Sequence, residues 1–288
     1  MPSAPPPPDD PARARPPLRD VIARHGLAAR HALGQHFLLD GNLTARIVRL
    51  AGPLDGRQVI EVGPGPGGLT RALLDSAAAA VTAIEIDRRA VAAMQDLATT
   101  AGGRLRVIAA DALTLDAAAL VDPPRRVIAN LPYNIATPLL IRWLRQAGRF
   151  EGFTLMFQQE VAERIAAAPA SRAYGRLAVL AQWTCTATIG LRLPPAAFVP
   201  APRVASAVVC LTPHAVQPDP ARFAQMERLT AAAFGQRRKM LRAALRPAFG
   251  VAAEALLLAA GIAPERRAET LSVAEFDRLA ACVDAALR

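Results

Sequence analysis

Four consecutive residues, Asn130-Leu131-Pro132-Tyr133, follow the apolar run Val127-Ile128-Ala129 and carry a side-chain amide, a proline ring and an aromatic ring. The amide offers an acceptor oxygen, the proline stiffens the turn and lacks an N–H donor, and the tyrosine offers a flat face. Together these groups suit a planar base that carries an amino group. An ordinary exit from a strand into a loop is the alternative interpretation of the same residues.

A glycine-rich loop follows a second apolar run, Val59-Ile60-Glu61-Val62. Gly63, Gly65 and Gly68 have the spacing G-x-G-x-x-G, and a predicted helix at 69–74 comes next. Such a loop lets the backbone approach a ligand closely at the positive end of a helix. Nicotinamide-dependent enzymes share this pattern, so the loop alone does not identify a cofactor.

Two carboxylates, Glu85 and Asp111, lie at the ends of two further predicted strands. A carboxylate at the tip of the second strand can accept hydrogen bonds from both ribose hydroxyls of a nucleoside. An acid just past the third strand can accept a hydrogen bond from an adenine amino group. Helix capping is the alternative role for Asp111, as it is for Asp87.

The glycine loop, Glu85, Asp111 and Asn130 each follow a different predicted strand of one α/β sheet. In an open α/β sheet the ligand binds outside the carboxyl ends of the strands. We therefore expect all four features to meet at one edge of the sheet, where they form a single ligand site.

The chemistry of this site favours S-adenosylmethionine over a nicotinamide cofactor. Hydride transfer requires a general acid or base, and no such pair follows the fourth strand. S-Adenosylmethionine carries its own leaving group, so the protein need only position a nucleophile. If Asn130 Oδ1 and the Leu131 carbonyl each accept one amino hydrogen of an adenine, the nitrogen lone pair is freed for attack. Tyr133 can stack on the base, which is worth about 1–3 kcal/mol.

Several segments occur together in the order known from one enzyme family. They are Leu33-Gly34-Gln35-His36-Phe37-Leu38, Glu61-Val62-Gly63-Pro64-Gly65, Ile84-Glu85-Ile86-Asp87, Asp111-Ala112, Asn130-Leu131-Pro132-Tyr133-Asn134-Ile135, Phe198-Val199-Pro200-Ala201-Pro202-Arg203-Val204-Ala205-Ser206 and Phe234-Gly235-Gln236-Arg237-Arg238-Lys239-Met240-Leu241-Arg242. The chain thereby resembles the ribosomal RNA adenine dimethyltransferases, most closely the bacterial small-subunit enzymes (KsgA/RsmA type). The resemblance implies dimethylation of N6 of two adjacent adenosines near the 3′ end of 16S rRNA, with S-adenosylmethionine as methyl donor and an immature small ribosomal subunit as partner.

The resemblance also implies roles for individual residues. The implied cofactor contacts are His36, Leu38, Gly63, Gly65, Glu85, Asp111 and Asn130. The implied catalytic residues are Asn130, Leu131, Pro132, Tyr133 and Phe198. Phe198 would be a second aromatic ring for the target base, and packing under a proline-stiffened loop is its alternative role. The family commonly has Asn where this chain has His36, so the role of this side chain stays open, with a turn residue as the alternative.

The fold implied by the resemblance is a Rossmann-like α/β fold with a seven-stranded, mainly parallel sheet and a small C-terminal all-helical domain. The expected organisation is a disordered proline-rich tail at 1–17, a methyltransferase domain at 18–213 and a helical RNA-binding domain at 214–288. The segment 234–246 has five basic residues and no acidic one. A phosphate-binding face is therefore predicted, with a solvated helix face as the alternative. Its predicted RNA contacts are Arg237, Arg238, Lys239 and Arg242.

Composition sets broader limits on function. The formal net charge of +10, from 34 basic and 24 acidic residues, favours a polyanionic partner, although the dominance of arginine over lysine also fits a compositional bias. The three cysteines lie far apart and predict neither a zinc site nor a disulfide framework. No apolar run approaches membrane-spanning length, and the N-terminus lacks the apolar core of a signal peptide. We expect a cytoplasmic, monomeric enzyme that uses no metal and binds no membrane.

Three alternative functions share parts of this pattern. A 23S rRNA adenine N6-methyltransferase of the antibiotic-resistance type has the same active-site motif, but the long helical C-terminal region and the pattern at 198–206 favour the small-subunit enzyme. A non-catalytic ribosome-assembly factor could use the fold only to bind RNA, although intact Asn130 and Glu85 argue against this. A nicotinamide-dependent reductase is disfavoured because no obvious proton donor is present.

Overall fold

The structure is a computed structural model that describes residues 15–27 and 35–286, with side chains described up to residue 283. Most of the predicted proline-rich tail, and the Leu33-Gly34 pair of the first motif, lie outside the described residues. The chain divides into two compact units. The first contains residues up to Ile135 together with Leu193–Val204, and the second contains Ala136–Arg192 together with the chain from Ala205 onward.

The described part of the chain contains nine strands and eleven α-helices. The strands are β1 (Phe37–Leu38), β2 (Gln58–Val62), β3 (Ala80–Glu85), β4 (Leu105–Ala109), β5 (Arg125–Asn130), β6 (Gly152–Gln158), β7 (Cys185–Leu193), β8 (Phe198–Val199) and β9 (Ser206–Pro213). The helices are α1 (Leu18–Arg24), α2 (Gly41–Leu50), α3 (Gly68–Leu74), α4 (Arg88–Thr99), α5 (Tyr133–Leu144), α6 (Gln159–Ile165), α7 (Arg176–Thr184), α8 (Pro220–Gly235), α9 (Leu241–Phe249), α10 (Ala252–Ala259) and α11 (Val273–Ala286).

Parallel strands organise the first unit, in the order β4-β3-β2-β5. Gln58 of β2 lies opposite Ala80 of β3 on one side and Arg125 of β5 on the other. The apolar run of β2 is buried along almost its whole length, as expected for a strand covered on both faces. The parallel register brings the carboxyl ends of these strands to one edge, which confirms the expected meeting point of the motifs.

Three further strands of the main sheet belong to the second unit, in the order β6-β9-β7. β6 and β9 are antiparallel, with Phe153 opposite Leu211 and Gln158 opposite Ser206. The predicted seven-stranded, mainly parallel Rossmann-like sheet is therefore confirmed. Past Pro213, the described chain forms helices and turns alone, as predicted, whereas the predicted domain boundary between residues 213 and 214 stays a prediction.

Aromatic side chains form much of the helical core of the second unit. The ring centroid of Phe234 lies 5.6 Å from that of Phe276 and 6.0 Å from that of Tyr174. Burying one such ring contributes about 1.5–3 kcal/mol. Phe234 thereby fixes the end of α8 from which the basic segment 234–246 continues. None of the helices that the structure describes is long and apolar enough to cross a membrane.

Candidate active site

A cavity of about 240 Å³ opens at the carboxyl edge of the parallel strands, within the first unit. We call it the strand-edge cavity. The predicted site residues that line it are His36, Leu38, Gly63, Gly65, Glu85, Asp111, Asn130, Leu131, Pro132 and Tyr133. Segments separated by almost a hundred residues thus meet around one space, as the strand pattern predicts.

Asn130 is the last residue of β5, and its side chain is fixed by a hydrogen bond. Its Nδ2 donates to the backbone carbonyl of His36 at 2.9 Å. Because the amino half of the amide is occupied in this way, Oδ1 is the half left to accept a hydrogen bond from a ligand. The amide is therefore held in one orientation before any ligand arrives.

The turn after Asn130 places Pro132 against the glycine loop. A Cβ atom added to Gly63 would lie 3.1 Å from Pro132 Cδ, and Gly63 has a φ of +69°, so glycine is required there on two counts. Helix α5 begins directly at Tyr133, although Pro138 lies inside it. The sequence did not predict this helix. Its early start holds the Tyr133 ring at the wall of the cavity.

His36 connects three parts of the site. Its backbone carbonyl accepts the hydrogen bond from Asn130, and its ring Nδ1 donates to the Pro200 carbonyl at 2.8 Å. The His36 ring centroid also lies 5.3 Å from that of Tyr133, with the planes tilted by 32°. The His36 ring therefore has a defined structural role, and its predicted contact with the cofactor stays a prediction.

Phe198 occupies a different position from the other predicted catalytic residues. It lies in β8, which pairs antiparallel with β1 so that Phe198 is opposite Leu38. Its side chain is only 2 % exposed, and it is not among the residues that line the strand-edge cavity. The described conformation thus shows Phe198 packed beneath its loop. Its predicted role against a target base stays a prediction that requires the ring to become exposed.

Glu85 lies at the tip of β3 and accepts three backbone hydrogen bonds. Its Oε2 accepts from the Gly65 N–H at 3.2 Å, and its Oε1 accepts from the N–H groups of Ile86 and Asp87, both at 2.9 Å. Burial raises the pKa of Glu85, and the three N–H donors partly oppose that rise. Three of the about four acceptor positions of the carboxylate are thereby occupied, and Oε2 keeps one that can accept a ribose hydroxyl.

The neighbouring acid Asp87 has a structural role instead. It caps α4, where its Oδ1 accepts from the Arg89 N–H at 3.1 Å, and its Oδ2 pairs with Arg89 Nη2 at 2.6 Å. These hydrogen bonds lower the pKa of Asp87. The capping alternative therefore holds for Asp87, whereas Glu85 lines the cavity.

Asp111 combines both of the roles considered for it. Its Oδ1 accepts from the Leu113 N–H at 2.9 Å, which fixes the turn after β4. The same side chain lines the strand-edge cavity. Since a carboxylate has about four acceptor positions, the turn leaves Asp111 able to accept a further hydrogen bond from a ligand.

Glu61 lines the cavity but was not among the predicted site residues. It lies inside β2, is 1 % exposed, and its Oε2 has no hydrogen-bond partner among the described residues. Burial raises the pKa of Glu61 to about 8, with Thr70 opposing the rise and Glu85 adding to it. An acid within an otherwise apolar strand was the available signal, because a glutamate is rarely buried without a partner.

The predicted RNA contacts divide into two kinds. Arg237 lies 3.4 Å from Glu269, and Arg242 lies 3.3 Å from Glu265, so these two arginines already have acidic partners. Arg238 and Lys239 are exposed, and no described residue pairs with their side chains. The predicted phosphate-binding face therefore depends most on these two residues.

Comparisons with known proteins find similarity over most of the chain. A family model described as ribosomal RNA adenine dimethylase matches residues 26–284. A ribosomal RNA small subunit methyltransferase A from Gluconobacter oxydans is 60 % identical over 277 residues, which cover 96 % of this chain and 90 % of the relative. A protein of the same name from Paramagnetospirillum magneticum is 57 % identical over 270 residues, which cover 94 % and 95 %.

Two solved structures are similar in fold. A dimethyladenosine transferase from Plasmodium falciparum has a TM-score of 0.69 at 25 % identity, with 85 % of this chain and 96 % of that chain covered. The 23S rRNA methyltransferase ErmE has a TM-score of 0.65 at 26 % identity, with 86 % and 99 % covered.

Proposed function

The chain belongs to the ribosomal RNA adenine dimethylase family, and on that premise we propose that it dimethylates N6 of two adjacent adenosines near the 3′ end of 16S rRNA. The observation that carries the proposal is the fixed amide of Asn130 at the wall of the strand-edge cavity. The relatives that are named for the small ribosomal subunit support the choice of substrate.

The residues of the cavity fit S-adenosylmethionine. Glu61 and Glu85 both line the cavity, and Glu61 Oε2 lacks a partner, so a ligand that brings hydrogen-bond donors or a positive charge is favoured. A Cβ atom on Gly65 would lie 2.9 Å from the Phe37 ring, so the loop has room only for bare backbone beside the ligand. Bound there, S-adenosylmethionine supplies a methyl group on a positively charged sulfonium together with its own leaving group.

Several residues would hold this cofactor. Glu85 would accept a hydrogen bond from a ribose hydroxyl and Asp111 one from the adenine amino group, since both carboxylates line the cavity and keep acceptor capacity. Ile86 is 58 % exposed and also lines the cavity, so it offers an apolar surface for a planar base. The backbone of His36 and Leu38 would cover the other side.

The target adenine would be activated by hydrogen bonds rather than by a base. An adenine amino nitrogen is a poor nucleophile because its lone pair is delocalised into the ring. Asn130 Oδ1 and the Leu131 carbonyl would each accept one of its hydrogens and so draw the nitrogen toward a tetrahedral geometry. The stiff Pro132 turn keeps these two acceptors at a fixed spacing. No strong base is required, because an amino proton becomes acidic only once the nitrogen is methylated, and it can then leave to solvent.

Tyr133 would hold the base in this geometry. Its ring lies at the cavity wall, next to the His36 ring. Stacking of a base on an aromatic ring contributes about 1–3 kcal/mol and tolerates any base. The paired acceptors of Asn130 and Leu131 would therefore select a base that presents an amino group, such as adenine, over one that presents a carbonyl oxygen there.

The proposed partner is 16S rRNA within an immature small ribosomal subunit, and the proposed role is in ribosome biogenesis. The exposed Arg238 and Lys239, with Arg237 and Arg242, would contact RNA phosphates. We place the enzyme in the cytoplasm and propose that it acts as a monomer. Methylation of 23S rRNA is the second candidate function, because the fold is also similar to that of ErmE.

Methyl incorporation from labelled S-adenosylmethionine separates these candidates. Immature small subunits, large subunits and free DNA would be compared under the same conditions. We expect labelling of the small subunits alone. Labelling of large subunits alone would support the second candidate function, and binding without any labelling would support a non-catalytic assembly factor.

A further inference from the structure

A second concave surface lies in the first unit, apart from the strand-edge cavity. It is a groove of about 930 Å³ that is bordered by α1, α2, α3 and the chain around β8. Four arginines and two carboxylates line it, and we call it the arginine groove. These residues are Arg15, Arg19, Arg49, Arg71, Asp40 and Asp75.

Both carboxylates of the arginine groove already have partners. Asp75 pairs with Arg15 at 2.9 Å. Asp40 caps α2, where its Oδ1 accepts from the Asn42 N–H at 2.8 Å and the Leu43 N–H at 3.3 Å. A capping carboxylate is balanced by the positive end of the helix. The remaining charge of the groove is therefore positive.

That positive charge is held by Arg19, Arg49 and Arg71. Arg19 and Arg49 are exposed, and no described residue pairs with their side chains. Arg71 is partly buried, and its Nε has no hydrogen-bond partner in the described structure. Burial, together with the charge of the nearby Arg15, lowers the pKa of Arg71. Asp75 opposes this change, and an anion in the groove would further stabilise the charged guanidinium.

The arginine groove lies beside the strand-edge cavity. Gly68 lines both spaces, and Leu38 lines the cavity while Leu39 lines the groove. In the strand pair β1–β8, the side chain of Phe198 is buried, whereas that of Val199 is exposed and lines the groove. A strand that presents one base to the cavity can therefore continue along the groove without leaving the first unit.

We propose that the arginine groove binds the phosphate backbone of the substrate RNA next to the target adenosine. The inference rests on the proposed function and extends it to a surface in the first unit, separate from the basic segment 234–246. Phosphates would lie against Arg19 and Arg49, with Arg71 behind them. Such contacts fix the register of the strand without reading its sequence.

The chain offers a closely matched pair of variants to test this proposal. R19A/R49A removes one groove arginine from α1 and one from α2. The control R24A/R46A removes an exposed arginine from each of the same two helices, and neither Arg24 nor Arg46 lines the groove. Both variants lower the net charge equally, so a difference between them reports the groove itself. KM for unmethylated small subunits would be measured at several salt concentrations, with the cofactor dissociation constant measured separately.

We expect R19A/R49A to raise KM by about fivefold to tenfold. The slope of log KM against log salt should fall by about 1.4, because each lost phosphate contact to a single strand lowers this slope by about 0.7. R24A/R46A should change both quantities much less, and neither variant should alter the cofactor dissociation constant. Equal effects of the two variants would overturn the proposal, as would a weaker cofactor affinity in R19A/R49A. Absence of methylation by the unchanged enzyme would instead count against the proposed function.

Discussion

The side-chain amide of Asn130 donates to the backbone carbonyl of His36 at 2.9 Å, across 94 positions of the chain. This one hydrogen bond joins the end of β5 to the segment that carries β1. It decides which half of the amide faces a ligand, because the occupied Nδ2 leaves Oδ1 as the available acceptor. The proposed activation of adenine depends on that orientation.

Asn130→Ala removes the acceptor and the bond to His36 together. We expect the turnover number to fall on the order of 10²-fold or more, as when another transition-state hydrogen bond is lost. Asn130→Asp keeps the size but replaces the donor with a second acceptor, so repulsion from the His36 carbonyl should leave it similarly impaired. Asn134→Ala provides the contrast, with a loss below about tenfold. Single-turnover assays with saturating cofactor would measure each variant, and a fully active Asn130→Ala would refute the assigned role.

His36 should act through its ring as well as its carbonyl. His36→Ala removes the donor to the Pro200 carbonyl and the contact with Tyr133, so the β1–β8 pair should loosen and KM for the cofactor should rise several-fold. His36→Asn retains a donor at a similar distance and should restore most of the loss. If the alanine and asparagine variants behaved alike, the bond to Pro200 would have no role in positioning.

Glu61 should make cofactor binding depend on pH. Burial raises the pKa of Glu61 to about 8, so its negative charge develops as the pH rises through that value. Affinity for the cationic cofactor should therefore increase between about pH 7 and pH 9, relative to the Glu61→Gln variant measured in the same buffers. The variant serves as the control because it cancels any titration of the cofactor itself. Parallel pH profiles for the two proteins would contradict this role.

The same residue should also affect the stability of the free protein. The pKa of Glu61 is raised in the fold, so the folded state favours the protonated acid, and that advantage is lost as the pH rises from 4.5 toward about 8. Glu61→Gln cannot ionise and avoids this loss. As the pH rises from 4.5 toward about 8, the melting temperature of the Glu61→Gln variant should therefore increase relative to that of the unchanged protein. A difference that does not vary with pH would argue against a buried, titrating Glu61.

The basic segment should bind RNA mainly through its unpaired cations. Arg238→Ala/Lys239→Ala should weaken RNA binding. It should also reduce the slope of log affinity against log salt by the amount expected for about two phosphate contacts. Arg237→Ala/Arg242→Ala carries the same charge change but removes residues that already contact Glu269 and Glu265, so its effect should be smaller. Filter binding to small subunits over a range of salt would compare the two. If neither variant changed binding, the segment would be a solvated helix face.

The strand pattern and motif spacing were sufficient to predict the parallel sheet and the position of the glycine loop, Glu85, Asp111 and the turn 130–133 at the cavity wall. The positions of His36 and Leu38 there followed from the family resemblance instead. Buried parallel strands produce continuous apolar runs, and their carboxyl ends must meet at one edge. The burial of Phe198 agrees with the packing role that was its alternative interpretation. Its pairing with Leu38 was not predictable, because β1 and β8 have two residues each and lie far apart in sequence. Such short strands leave no periodic signal. The partnerless carboxylate of Glu61 became visible only once its neighbours were placed.

The most direct test of the central claim is to identify the methylated nucleotides. Unmethylated small subunits would be incubated with S-adenosylmethionine and either the unchanged enzyme or Asn130→Ala, and the 16S rRNA would be analysed by nuclease mapping and mass spectrometry. We expect two adjacent N6,N6-dimethyladenosines near the 3′ end with the unchanged enzyme and almost none with the variant. Methylation at another atom or in another RNA, or equal product from Asn130→Ala, would contradict it.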